Sequence, residues 1–279
     1  MDASFDRSGP AAPASPVVLS VPHAGRDYPL ALRAALRVPL SGLLPLEDRH
    51  VDRVAIEART AEIMLVQRLP RAWIDLNRGE HERDPRVDEG VSAATQPVQS
   101  AKLRSGLGLV PRRASGAGEI WRRRFPDADI RRRIEHDHRP YHQALADALA
   151  AAHAIFGVAI LVDLHSMPPI DGGARIVIGD RFGRSSATRF VARVEAECNA
   201  GGIRCALNAP YAGGHILDRH ARPAAGIHAI QLELDRSLYL DAGLHEPGAG
   251  LVQTVALLRR ILAAIADEAL AQPLAIAAE

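Results

Sequence analysis

The sequence predicts an α/β fold with a largely parallel central sheet, on three observations. Gly157-Val-Ala-Ile-Leu-Val-Asp163 is an unbroken apolar run, the pattern of a strand buried on both faces. Shorter β-branched runs alternate with stretches of helical spacing, the order of strand–helix–strand units. A hydrophobic share of 47% against 24% charged residues, in a chain of 279, supplies a full core and argues against disorder.

Taken in order, residues 1–16 are rich in Ala, Pro and Ser and read as a disordered lead-in, with no basic-then-apolar pattern of a secretory signal. Residues 17–21 (Val-Val-Leu-Ser-Val) form a strand ending at Pro22-His23-Ala24-Gly25. Helical spacing covers 30–36 and 49–60, and 63–66 and 72–76 read as strands joined by a turn at Pro70. Residues 79–118 lack sustained periodicity and carry Gly90, Gly106, Gly108, Pro111, Gly116 and Gly118, as expected of a long loop or lid. A long helix is predicted over 127–156, bent or broken by Pro140. The run 157–163 is the central strand; strands at 174–178, 203–207 and 228–234, a helix at 186–198 and a closing amphipathic helix at 251–270 complete the pattern. With no internal repeat and no shift in composition, residues 17–279 read as one domain.

Charge excludes some partners. Lys and Arg total 34 and Asp and Glu 33, so a net +1 gives no overall field to attract nucleic acid or an anionic membrane. Lys102 is the only lysine, and most of the 33 arginines read as compositional background. Residues 101–150 depart from this balance, with eleven basic side chains against six acidic. Arg112-Arg113, Arg122 to Arg124 and Arg131 to Arg133 there carry a remote alternative, an Arg-rich nucleic-acid-binding module. Against it stand the absence of a recognised motif and an aromatic share of 4%, too small for a stacking platform. Cys198 and Cys205 are too few for a disulfide framework and read as small buried hydrophobes in a reducing compartment. The longest apolar stretch, 251–266, is interrupted by Arg259 and Arg260 and is not a membrane span, so a cytoplasmic protein is expected.

Ligands of open α/β sheets bind beyond the carboxyl ends of the strands. Four strand exits carry chemistry there: His23, Asn77-Arg78, Asp163-Leu-His-Ser166 and Glu233. A lone histidine in such a place is more often structural. Two of them, with carboxylates available in Glu47-Asp48 and Glu233, point to a metal, because two imidazoles and one carboxylate form a standard zinc set with an open position. A carboxylate left off the metal then serves as proton shuttle. Arg78 stands out among the arginines because it leaves a strand beside Asn77, and a guanidinium fork suits a carboxylate. Asn208-Ala-Pro-Tyr-Ala-Gly-Gly-His215 reads either as a plain turn or as a Gly-hinged loop bringing the Tyr211 hydroxyl to a developing oxyanion. Tyr141-His142 reads equally as core or as substrate contact, and His136 and His138 face different sides of their helix.

An ordered set of motifs resembles the N-formylglutamate amidohydrolase (N-formylglutamate deformylase) family. It comprises Ser20-Val-Pro-His-Ala-Gly25, Glu47-Asp-Arg-His-Val-Asp52, Pro70-Arg-Ala-Trp-Ile-Asp-Leu-Asn-Arg78, Arg139-Pro-Tyr-His142 and Leu161-Val-Asp-Leu-His-Ser-Met-Pro168. Ile178-Gly-Asp-Arg181, Asn208 to His215 and Ile230-Gln-Leu-Glu-Leu-Asp-Arg236, followed by Leu238-Tyr239, complete it. That family is similar in turn to the zinc carboxypeptidases. The resemblance implies a three-layer α/β/α, zinc-exopeptidase-like fold with a mixed, largely parallel sheet. It implies Zn²⁺ on His23 and His165, Asn77-Arg78 on a substrate carboxylate and Glu233 as general base. Carboxypeptidases carry their carboxylate ligand three residues after the first His, where this chain has Arg26; Asp48 is the preferred substitute and Glu47 the second choice.

The implied reaction is hydrolysis of N-formyl-L-glutamate, a small dianion, to formate and L-glutamate, the last step of a histidine degradation route. Arg181, or an arginine of the 79–118 loop, is the candidate for the second carboxylate. A broader N-acyl-amino-acid amidohydrolase or a carboxypeptidase-like zinc hydrolase remains the alternative, because one methylene in a pocket discriminates by only about 1–3 kcal/mol. A serine nucleophile at Ser166 is disfavoured, since no G-x-S-x-G elbow occurs.

Overall fold

The computed structural model describes residues 3–92, 94 and 100–271; parts of the expected lead-in (1 and 2) and of the 79–118 loop (93 and 95–99) lie outside the described residues. In chain order the elements are β1 (Phe5–Ser8), β2 (Val17–Val21), α1 (Leu30–Ala35), a 3₁₀ segment (Leu40–Leu46), α2 (Val51–Ala58), β3 (Ile63–Gln67), α3 (Ala101–Arg104), β4 (Arg113–Ala114) and β5 (Gly118–Glu119). There follow α4 (Asp127–Arg133), a π-helical turn (Ile134–His138), α5 (Arg139–Phe156), β6 (Ala159–Met167), β7 (Ile176–Gly179), α6 (Thr188–Ala200), β8 (Cys205–Leu207), α7 (His215–His220), β9 (Ile227–Asp235) and α8 (Leu251–Leu270).

Seven strands form one sheet in the order β1-β3-β2-β6-β9-β7-β8. Its centre, β3-β2-β6-β9, is parallel; β1 joins antiparallel to β3, and β7 antiparallel to β9, so the sheet is mixed and largely parallel. Helices cover both faces. On one face α2, α6 and α8 pack on Val17, Leu19, Val21, Ile160, Val162, Leu164, Ile230, Leu232 and Leu234. On the other, α4 and α5 and the loops around them pack on Val18, Leu65, Leu161 and Ala229.

Strand alternation then places the site. Successive side chains point to opposite faces, so the face that carries Ala159 and Leu161 carries Asp163 and His165 further along β6. Parallel register sets Gln231 beside Asp163 and Glu233 beside His165. Thus one face of β6 and β9 is apolar at its start and polar at its carboxyl end, while the opposite face is mostly apolar, with His228 at its start and Ser166 at its end.

Three expectations need correction. Phe5–Ser8 is not disordered but pairs along β3 from Gln67 to Met64 as an edge strand. Residues 72–76 are not a strand: Ala72, Ile74 and Leu76 are buried, but so is Asp75 between them, and the backbone turns, with Trp73 N–H donating to the Pro70 carbonyl and Asp75 N–H to that of Leu109. Aliphatic residues at every second position reproduce a strand's sequence pattern without a ladder. Cys205 is only partly buried, unlike Cys198, and both thiols are free. The long helix runs on from 127 to 156 without a break, widening into the π turn just ahead of Pro140.

Candidate active site

His23 lies just past β2, and the Asp48 N–H donates to the His23 carbonyl at 3.0 Å, which ties the Glu47-Asp48 turn to the first histidine. His165 arrives from β6, with its ring centroid 4.8 Å from that of His23. Asp48 Oδ2 lies 3.1 Å from His165 Nδ1 and 3.6 Å from His23 Nδ1. One ligand atom from each of the three lies within 4.8 Å of the others, and all three side chains are buried.

The far side of each ring decides what this cluster can hold. His23 Nε2 is 2.7 Å from Asp75 Oδ1, and His165 Nε2 is 2.8 Å from Asp163 Oδ2. A carboxylate accepts the Nε2 proton and turns Nδ1 toward Asp48, the outer arrangement usual for metal-bound imidazoles. Without a cation, His165 Nδ1 carries the proton that Asp48 Oδ2 accepts, the position a metal ion would take. His23 Nδ1 is buried without a hydrogen-bond partner, as a ligand atom kept for a cation would be. Burial opposes charge on His165, but Asp163 and Asp48 outweigh it and hold its pKa well above the ordinary value. Burial likewise opposes the charge on Asp48, and His165 and His23 outweigh it, holding the carboxyl well below the usual range. The residues fit a divalent cation.

Glu47 points elsewhere: it accepts from the Tyr28 hydroxyl and pairs with Arg49 at 2.9 Å. Of the two candidate carboxylates the structure brings only Asp48 to the imidazoles. Arg236 braces that turn, donating to the Glu47 carbonyl and, at 3.1 Å, to Ser166 Oγ.

His23, Asp48, His165 and Glu233 line a cavity of about 300 Å³. Glu233 accepts from Gln231 Nε2 at 2.9 Å, and burial, with Asp48 adding and His165 opposing, raises its pKa to about 7. Asn77, Arg78 and Tyr211 share the wall. Arg78 Nε donates to the Leu107 carbonyl at 2.9 Å and Nη1 to that of Asn77 at 2.6 Å, which fixes the guanidinium plane. The 208–214 loop packs so closely on Asn77 that a Cβ on Gly214 would stand 2.4 Å from Asn77 Oδ1.

Arg181 is not on this wall. It pairs with Asp218 at 2.8 Å and donates to the Gly214 carbonyl, because its left-handed backbone (φ 55°) turns it behind the loop. Positive charge comes instead from Arg71, Lys102 and Arg236, none of which was assigned a role from sequence. Arg71 and Arg236 lie inside the quoted motifs, and Lys102 is the one lysine, so the signals were present without a criterion to choose them. Asp75 and Asp163 were likewise adjacent to candidates but unassigned. Of the arginine runs behind the alternative reading, Arg112 and Arg133 are buried, the first paired with Asp84 and Glu119 and the second over Trp73 and Phe125, while the exposed Arg131 pairs with Asp127.

The model of a family described as N-formylglutamate amidohydrolase matches residues 15–240. The chain belongs to that family. Two N-formylglutamate deformylases are similar to it. The one from Pseudomonas aeruginosa is 30% identical over 236 residues, covering 81% of this chain and 82% of the relative. The one from Pseudomonas putida is 31% identical over 234 residues, with the same coverage. The crystal structure of an N-formylglutamate amidohydrolase from Ralstonia eutropha JMP134 superposes with a TM-score of 0.86 at 31% identity, covering 95% of this chain and 98% of that one. A gene product from Agrobacterium tumefaciens, 19% identical with a TM-score of 0.65 over 95% of each chain, shares the fold. Among the described residues of this family member, no helix is long and apolar enough to cross a membrane.

Proposed function

We propose that the chain is a metal-dependent amidohydrolase that cleaves N-formyl-L-glutamate to formate and L-glutamate, the last step of a histidine degradation route. The observation that carries this reading is the shared cavity, lined by the His-His-Asp cluster, Glu233 and the guanidinium groups of Arg71, Arg78 and Arg236. His23 Nδ1, His165 Nδ1 and Asp48 are the proposed ligands, and zinc is the proposed ion, since two imidazoles and a carboxylate leave it an open position. When bound, such an ion acidifies water and polarises an amide carbonyl.

The chain's own residues supply the remainder. Glu233, poised near neutrality by burial, takes the proton from the attacking water and delivers it to the glutamate nitrogen as the formyl C–N bond breaks. Tyr211, whose phenol is held protonated by burial and by Glu233, is the proposed donor to the oxyanion. Arg78 and Asn77 hold one substrate carboxylate, and Arg71 and Lys102 are the proposed partners of the second. The described part of segment 79–118 is the proposed cover, since Lys102 and Leu107 stand on the cavity wall. A volume near 300 Å³ lies at the small end for ligand cavities and favours a formyl over a bulkier acyl group. The two free thiols accord with a cytoplasmic setting.

The test is release of formate and glutamate from N-formyl-L-glutamate, compared with the N-acetyl and N-succinyl analogues, before and after chelation. Selective, chelator-sensitive turnover of the formyl compound is expected. Equal turnover of the analogues would favour a broader N-acyl-amino-acid hydrolase, and full activity in chelator from protein free of divalent metal would overturn metal dependence.

A further inference from the structure

A second group of histidines lies behind the Asn77-Arg78 corner and shares no residue with the cluster above. His138 ends the π turn, His142 follows one turn later on α5, and His215 opens α7. One ring nitrogen from each lies within 4.8 Å of the others. The ring centroids are 4.4 Å apart for His138 and His142, 5.3 Å for His142 and His215, and 5.9 Å for His138 and His215.

Hydrogen bonds fix the tautomers of two of these rings. His138 Nε2 lies 2.8 Å from the Arg78 carbonyl, and His142 Nε2 lies 3.0 Å from that of Leu76. A carbonyl only accepts, so both Nε2 atoms carry the proton and both lone pairs sit on Nδ1. A ring N–H held by a backbone carbonyl is a recurrent outer partner of metal-bound imidazole. His138 Nδ1 and His215 Nε2 are buried with no hydrogen-bond partner, which is costly for a lone pair removed from water. His142 Nδ1 meets His220 Nε2 at 2.9 Å and so accepts the proton His220 carries there. Glu80, whose two oxygens accept from Arg139, brings Oε1 to 3.9 Å from His138 Nδ1 at the edge.

We propose that His138, His142 and His215 form a second metal site, for a divalent transition metal, with Glu80 at its rim. Three nitrogen donors select zinc, cobalt, nickel or copper over magnesium or calcium. Burial lowers the pKa of all three rings, that of His215 to about 4, so they are neutral and fit to coordinate at neutral pH. A cation here takes over the His142 lone pair from His220. It also joins α5 and α7 to the carbonyls of Leu76 and Arg78, the segment that presents Arg78 to the cavity.

The experiment is titration of metal-stripped full-length protein with cobalt(II) chloride. Bound equivalents are measured after desalting and visible d–d absorption is recorded, with circular dichroism as the check on folding. His215→Gln is the principal variant, because His215 is only half-buried at the start of a short helix. It is expected to bind one equivalent less than the unaltered chain, whereas His23→Ala/His165→Ala is expected to retain that equivalent. Equal cobalt binding by the unaltered chain and His215→Gln overturns the second site. His138→Gln is the check against a local effect at α7, and it must lose the same equivalent. Failure of the His23–Asp48–His165 reading is separately visible, as unchanged binding in the His23→Ala/His165→Ala variant.

Discussion

At His23 and His165 the outer ring nitrogen meets a carboxylate; at His138 and His142 it meets a backbone carbonyl. Both arrangements fix a tautomer, yet their electrostatic outcomes are opposite. Burial works against charge in both clusters. At His165 it is outweighed by Asp163 and Asp48, and the pKa stands well above the ordinary value. At His142 burial goes unopposed, the neighbouring imidazoles add to it, and the pKa falls well below. Charge state is therefore set by what lies behind the ring. A carboxylate behind an imidazole also raises its basicity as a ligand, which suits a site that performs chemistry. A carbonyl fixes the ring without adding charge, which suits a site that orders a loop.

The comparison can be broken most severely at His165. His165→Ala should lose the bound metal and essentially all formate release, as read by elemental analysis and product assay on one preparation; stoichiometric metal in that variant would remove the chemical role from the carboxylate-backed cluster. Glu233→Gln comes next and separates binding from proton transfer. Metal content should be unchanged while kcat falls by about 10²–10⁴-fold, the range for loss of a general base. Asp163→Asn tests the carboxylate itself, since the amide keeps the shape and removes the charge. Metal affinity or activity should drop by about 10–100-fold, and an unaltered affinity would mean that the outer partner is incidental.

The smallest effect is expected at His228, which belongs to neither cluster. Its Nδ1 accepts from the Ala187 N–H at 3.3 Å, and burial, reinforced by Arg189, lowers its pKa. The folded form thus binds the proton less readily than the unfolded chain. The stability contribution is complete above the unfolded value of about 6.5 and is lost as pH falls below it toward the depressed folded value. His228→Gln should flatten the fall in urea midpoint between neutral and mildly acidic pH; an identical slope in both proteins would show that burial alone does not control this ring.

Much of the sheet was legible because its central strands are apolar on both faces, and a continuous run such as 157–163, too short for a buried helix, suits a central parallel strand. The polar positions His23, Asp48, His165, Glu233, Asn77, Arg78 and Tyr211 were selected by strand exits and motif order, and the structure sets them around one cavity. Asp75 was hidden by its neighbours: Ala72, Ile74 and Leu76 imitate a strand, and the approach of Asp75 to His23 depends on a turn that no local pattern announces. Arg181 failed for the converse reason, since a position just past a strand does not reveal a left-handed backbone that aims the side chain away. In the second histidine group His138 and His142 stand one helical turn apart, but a residue 73 positions further on completes it, a separation beyond any periodicity.

The side chain of Lys102 has a practical consequence. It carries the one lysine ε-amine in the sequence, lies on the cavity wall, and has its pKa lowered by burial with Arg78 and Arg71 adding. A lowered pKa leaves more free amine at a given pH, hence more nucleophile for acylation. Amine-directed reagents therefore meet a single side-chain target in this molecule, at the mouth of its cavity. Acylation there would neutralise a proposed substrate contact, so loss of formate release on labelling would test that contact without a single engineered residue.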